Sequence, residues 1–313
     1  MAEVLTIGEP MALLVAEEDK PLKDVEHFTR MVCGAEVNFS IGLARLGHEV
    51  SYISRVGSDP FGAHICDFLR NNKIDTSHVI IDEDYLTGMQ LKEKAQNGTD
   101  PLVVNYRRHT AFSVFEPLDL QKIAWDGVKH VHVTGIPAAL SRSCCMAVER
   151  LMEQAHAHGC RVSFDPNLRP ALWPSQKIMV ETLNGLAAKA DLVMPGVGEG
   201  EILTGSRNPE QIADFYLQRG AKAVVVKLGT KGAYGKEADG KEFTVPCFKV
   251  EQVVDTVGAG DGFAVGTVSA LLEGLSLSEA ARRGAAIGAL AVMSPGDNEG
   301  LPDREKLERF MEG

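Results

Sequence analysis

The sequence predicts an α/β fold with a mainly parallel sheet covered on both faces by helices, a three-layer α/β/α sandwich. Two observations predict it. Short apolar runs at 4–7, 50–56, 128–134, 161–165, 192–195 and 223–228 alternate with helical stretches at 36–46, 143–158 and 209–218. The chain has 313 residues, 44% of them hydrophobic, enough for one such domain with an insertion.

Residues 4–7 read as the first buried strand. They are preceded by no basic region and form no signal-type apolar core, so a cytoplasmic location is expected. Residues 11–33 and 87–113 break the rhythm. They hold extended segments, Met89-Gln90-Leu91-Lys92-Glu93-Lys94 and Leu102-Val103-Val104-Asn105-Tyr106-Arg107, with turn material at Asn97-Gly98. Their polar side chains fall where a core strand would not tolerate them. An ordinary edge hairpin would fit; a small antiparallel β lid set apart from the main sheet fits better.

Gly34 opens the helix at 36–46, and Asn38 lies one turn in, opposite Val37, Ile41 and Ala44. Asn38 satisfies a buried backbone group or faces a ligand. The strand at 161–165 runs into Asp165-Pro166-Asn167-Leu168-Arg169-Pro170, placing polar groups at the carboxyl edge of the sheet, where doubly wound folds bind ligands. The strand at 223–228 leads into Lys227-Leu228-Gly229-Thr230-Lys231-Gly232, a glycine turn of a common kind. Helices at 260–273 and 277–293 close the fold. The second opens on Ser276-Leu277-Ser278-Glu279, a capping box, and stops before Pro295-Gly296.

The most specific signal is Asp255-Thr256-Val257-Gly258-Ala259-Gly260-Asp261-Gly262-Phe263. Gly258, Ala259 and Gly260 leave the backbone bare for an anion, and a helical pattern starts at once. The turn therefore sits at a helix N-terminus, where unpaired N–H groups and the macrodipole favour negative charge. A capping Asp is the structural alternative for Asp261. Capping requires neither the flanking glycines nor a second Asp six residues earlier. A carboxylate inside an anion pocket suits a proton acceptor beside a phosphate.

Other classes fit less well. With 32 Lys and Arg against 43 Asp and Glu, the net charge of −11 argues against nucleic acid, and no apolar run reaches transmembrane length. The six cysteines form no C-x-x-C pair, and the nine histidines no H-x-x-x-H pair, so neither a metal cage nor a disulfide framework is expected. The first strand turn carries Gly8-Glu9-Pro10-Met11 instead of G-x-G-x-x-G, which leaves a nucleotide-dependent oxidoreductase as a remote alternative. A Walker A loop is absent from the sequence.

The Gly34–Gly47 stretch and the Asp255–Asp261 segment together resemble the two signatures of the ribokinase-like (PfkB) family of carbohydrate kinases, and the resemblance spans essentially the whole chain. It implies a ribokinase-like fold, ATP as phosphoryl donor, and Asp261 as the base on the substrate hydroxyl. It gives Gly258, Ala259 and Gly260 the anion hole and assigns Lys227, Gly229 and Gly232 to the nucleotide. It implies Mg²⁺ supported through water by Glu199, at a motif whose first position is Gly196 where the family has Asn, and K⁺ supported by Asp255. It further implies a homodimer paired through the lid.

For the sugar, Gly8-Glu9-Pro10, Tyr106-Arg107 and Asp165-x-Asn167-x-Arg169 look like the subgroup acting on 2-keto-3-deoxygluconate, phosphorylated at C6. A guanidinium fork at Arg107 suits a carboxylate. Gly34, Asn38, Gln90, Tyr106, Arg107, Asn167, Arg169 and Asp261 are the substrate-binding candidates. Gln90 and Asn105 stand where that subgroup often has tyrosines, so a related acid sugar, fructose or ribose stays open.

Overall fold

Thirteen strands and ten helices occur among the described residues of the computed structural model, which are 2–94, 101–254, 257–294, 296 and 298–312. The strands are β1 (Val4–Ile7), β2 (Met11–Ala16), β3 (Phe28–Cys33), β4 (Val50–Gly57), β5 (Val79–Asp82), β6 (Met89–Lys92), β7 (Val103–Tyr106), β8 (His130–Thr134), β9 (Arg161–Asp165), β10 (Leu192–Val193), β11 (Ala223–Lys227), β12 (Ala233–Glu237) and β13 (Glu242–Val245). The helices are α1 (Ala35–Arg45), α2 (Pro60–Asn71), α3 (Ile136–Leu140), α4 (Arg142–Ala157), α5 (Gln176–Ala187), α6 (Val197–Thr204), α7 (Pro209–Leu217), α8 (Ala259–Leu272), α9 (Leu277–Ala291) and α10 (Arg304–Glu312).

The large sheet has the order β13-β12-β11-β10-β9-β8-β1-β4-β5. Every pairing from β11 to β5 is parallel, and the β12–β13 hairpin adds an antiparallel edge. Side-chain alternation along the strands fills two cores. Leu5, Ile7, Val131, Val133, Val162 and Phe164 pack on one face with Val148 and Leu151 of α4 and Leu183 of α5. Val4, Tyr52, Leu192 and Val225 pack on the other with Val37 and Ile41 of α1, Val265 of α8 and Ile287 of α9. Each fully buried branched side chain contributes roughly 1.5–3 kcal/mol.

Helix starts follow local chemistry. Asp59 caps α2 by accepting from Phe61 and Gly62, with Pro60 at the first helical position, where its missing N–H costs nothing. The Ser276–Glu279 capping box forms as expected at α9. Helices α8 and α9 meet closely at Gly266, where an added Cβ would lie 2.5 Å from Arg283 O.

The small sheet has the order β3-β2-β6-β7. Its two hairpins, β2–β3 and β6–β7, are antiparallel, and they join through a parallel β2–β6 pairing. The Asn97-Gly98 turn lies outside the described residues.

The chain leaves β1 toward β4 on one side and returns to β8 on the other. The carboxyl end of β1 is therefore a topological switch point, and the crevice there is where such sheets take ligands.

Candidate active site

A cleft of about 740 Å³ lies between the carboxyl ends of β1, β9 and β11, the start of α8, and one face of the small sheet. The small sheet's register decides what it contributes. Gln90 is opposite Asn105 and Lys92 opposite Val103, so these four share a face, and all four line the cleft.

At the start of α8, Gly258 is in the left-handed conformation (φ +79°), a geometry suited to glycine. The first backbone bond of the helix runs from Gly262 N–H to Gly258 O. The amides before it, at 259 to 261, belong to the turn that a helix leaves unpaired. Gly258, Gly260 and Asp261 line the cleft. Asn38 Nδ2 donates to Asp261 Oδ2 at 2.8 Å. Burial pushes the Asp261 carboxyl above its ordinary range, opposed by the Asn38 hydrogen bond and by the charges of Arg169 and Lys227.

Lys227 and Asp165 close the next stretch of wall. Strand β10 is only two residues long, so the sheet opens between the ends of β9 and β11. Lys227 Nζ spans this gap to Asp165 Oδ2 at 2.6 Å. A Cβ on Gly260 would lie 3.6 Å from Lys227 Nζ, which puts the ammonium beside the bare amides. Burial works against the lysine's charge, but the carboxylates of Asp165, Glu199 and Asp261 outweigh it and raise its pKa. Asn38 Oδ1 and Asp165 Oδ1 are buried without a hydrogen-bond partner among the described residues. Both residues line the cleft, so donors on a ligand would satisfy them.

Two buried acids stand at the cleft wall near the small sheet. Glu36 accepts from Thr134 Oγ1, and burial pushes its carboxyl up to about 7, with the Asp261 charge adding to the shift. Glu9 Oε2 receives Arg107 Nε at 2.8 Å and Nη2 at 2.7 Å, while Thr110 Oγ1 donates to Oε1. Asn167 and Arg169 both adopt positive φ, +41° and +47°, sparsely populated for side-chain-bearing residues. Leu168 N–H between them donates to Glu199 Oε1 at 3.3 Å. Such strain held at a cleft is a common mark of a working site.

The cleft thus brings together Gly34, Asn38, Gln90, Arg107, Asn167, Arg169, Glu199, Lys227, Gly258, Gly260 and Asp261. Other candidates are placed elsewhere. Tyr106 is 53% exposed and follows Asn105 by one residue, which turns it to the opposite face of β7. The Arg107 guanidinium reaches the cleft already paired with Glu9, so it is not a vacant fork. Ala259 is not itself a lining residue, but its amide lies in the turn between Gly258 and Gly260, which are; Gly229 and Gly232 do not line the cleft. Gly229 and Gly232 shape the turn after β11 through φ of +60° and +91°, and a Cβ at Gly232 would collide with Val245 O. Asp255 lies outside the described residues. Glu36 and Lys92 are cleft residues that the sequence reading missed; for Lys92 the signal was its two-residue spacing from Gln90.

Glu199 fits a water-mediated metal contact. Its Oε2 accepts from Gly196 N–H at 2.7 Å, which orients the carboxylate and leaves lone pairs for water. Among the described residues, the carboxylates of the cleft form no cluster that could cage an ion. Mg²⁺ bound chiefly by phosphates and water needs none. Among the described residues, no helix is long and apolar enough to cross a membrane.

Comparison with known proteins agrees with this geometry. A family model described as pfkB family carbohydrate kinase matches residues 1–304. The 2-dehydro-3-deoxygluconokinase of Bacillus subtilis is 46% identical over 310 residues, 99% of this chain and 95% of that protein. The crystal structure of a PfkB protein from Polaromonas sp. JS666 superposes with a TM-score of 0.90 at 44% identity, covering 98% of this chain and 99% of that one. A putative ribokinase II from E. coli, crystallised with ATP and Mg²⁺, also gives 0.90, at 26% identity, covering 100% and 99%.

Proposed function

The chain belongs to the pfkB family of carbohydrate kinases, and we propose that it transfers the γ-phosphoryl group of ATP to the C6 hydroxyl of 2-keto-3-deoxygluconate. The observation that carries the chemistry is Asp261, held by Asn38 beside the bare amides at the start of α8. The acceptor hydroxyl lies between Asp261 and the γ-phosphorus. As its oxygen attacks, its proton passes to Asp261, and the amides of Gly258, Ala259 and Gly260 receive the phosphoryl oxygens. Positioning and electrostatics supply most of what phosphoryl transfer needs. Asn38 Oδ1 accepts from a second sugar hydroxyl. Mg²⁺, when bound, neutralises phosphate charge, with Glu199 orienting its water.

Arg169 is the cleft guanidinium for the sugar carboxylate. It forms no ion pair among the described residues, whereas Arg107 is committed to Glu9. Gly34, Gln90 and Asn167 complete the sugar side, and Lys227 with the turn at Gly229 and Gly232 serves the nucleotide. The small sheet acts as a lid that excludes water during transfer. Support of K⁺ by Asp255, homodimer pairing through the lid and a cytoplasmic location belong to the same reading.

A second reading, phosphorylation of fructose or ribose, is favoured by one observation. Gln90 Nε2 donates to Asn105 Oδ1 at 2.8 Å, a neutral polar pair on the lid. An ADP-release assay over 2-keto-3-deoxygluconate, gluconate, fructose, ribose, tagatose and adenosine separates the two. The proposal expects the highest kcat/KM for 2-keto-3-deoxygluconate, with phosphate on C6 by ³¹P NMR. A preference for fructose or ribose overturns it.

A further inference from the structure

The Lys227–Asp165 pair flanks the proton-transfer group, Asp261, without a hydrogen bond to it among the described residues. Asp165 ends β9, is buried, and keeps its backbone in register opposite Thr134 of β8. Its Oδ2 lies 2.6 Å from Lys227 Nζ, and a Cβ on Gly260 would lie 3.9 Å from the same Oδ2. An ammonium has three N–H donors. One is directed at Asp165, and the ammonium lies beside Gly260. A lysine is flexible at the end of four methylenes, so an anchor is what would turn a mobile charge into a placed one.

We propose that Asp165 is a positioning residue for phosphoryl transfer, fixing the Lys227 ammonium beside the Gly258–Gly260 amides, where it takes up charge on the transferred phosphoryl oxygens. This rests on the kinase reading above and adds a residue that acts through another. The balance of the step is unchanged by it. The acceptor oxygen bonds to the γ-phosphorus, the bond to the β–γ bridging oxygen breaks, the hydroxyl proton goes to Asp261, and Lys227 stays protonated throughout.

The groups facing Lys227 are Asp165 from β9, Glu199 from α6, Asp261 from α8 and His132 from β8. His132 is stacked on Phe39 and bonded to Ser163 Oγ, and burial holds it neutral, well below the ordinary histidine range. Burial raises the Asp165 carboxyl, while the Lys227 charge in contact with it draws it back toward the ionised form; in return the three carboxylates keep the lysine charged, and Asp165 is the one in contact.

The test is the pH profile of the full-length enzyme with ATP, Mg²⁺ and whichever sugar the wild type phosphorylates fastest, so a wrong sugar assignment leaves the result readable. Asp165→Asn keeps the shape and removes the charge. Its kcat is expected to fall ~10-fold near neutral pH, with the alkaline limb moved down by at least about one pH unit and the acceptor KM held within about twofold. Lys227→Met is expected to lose ~10²-fold in kcat, and adding Asp165→Asn to it should cost little more. An unmoved alkaline limb overturns the proposal. So does an equal further loss in the Lys227→Met background, or a raised acceptor KM with the limb in place, which would make Asp165 a ligand of the sugar.

Discussion

Asn38 and Asp261 are separated by 223 residues in the chain and by a 2.8 Å hydrogen bond in the fold. The bond favours the ionised carboxylate, the form that accepts a proton, against a burial that favours the neutral one. Loss of the Asn38 amide therefore raises the Asp261 pKa. Activity that is absent while Asp261 is protonated then begins at higher pH. For Asn38→Leu, the acid limb of kcat/KM is expected to move upward relative to wild type. A limb that stays put or moves down contradicts this role.

Arg107 is 8% exposed and Glu9 less so, and they neutralise each other in the cleft wall. Truncating one member of a buried pair strands the other. Arg107→Ala is expected to cost ~3–5 kcal/mol in thermal or urea denaturation, and adding Glu9→Gln should recover part of it. A loss under about 1 kcal/mol would show the pair to be no more than a surface contact.

Glu36 gives the fold a pH signature. Its native carboxyl titrates at about 7, raised from 4.5, with burial the main cause. A raised carboxyl binds its proton more tightly when folded, so its contribution is fully present below about 4.5 and is lost as pH rises from there to about 7. Glu36→Gln cannot ionise. Its stability relative to wild type should grow from pH 4.5 to 7 and then level off, by ~3 kcal/mol in all. A difference independent of pH contradicts the assignment.

Much of this was legible in the sequence, for identifiable reasons. The six runs became β1, β4, β8, β9, β10 and β11 because parallel strands covered on both faces keep a high apolar content, even where buried polar residues such as His130, His132 and Ser163 interrupt it. The Asp261 segment was legible because bare glycines and a carboxylate at a helix start have few other uses. Strand β5 was missed: it is an edge strand of four residues, only one of them buried. The β12–β13 hairpin was missed because Ala233–Glu237 mixes apolar, glycine and charged residues. Tyr106 was assigned to the cleft because strand parity depends on register, and register depends on a partner strand. The Arg107–Glu9 pair joins positions 98 residues apart and has no local trace.

The measurement that tests the central claim most directly is the kinetics of Asp261→Asn, with ATP affinity determined separately by calorimetry. The substitution keeps the side chain's shape and its place beside the amides and removes only the proton acceptor. ATP affinity within about twofold of wild type, with kcat reduced at least ~10²-fold, is the expected result. A kcat near that of the wild type would contradict the account.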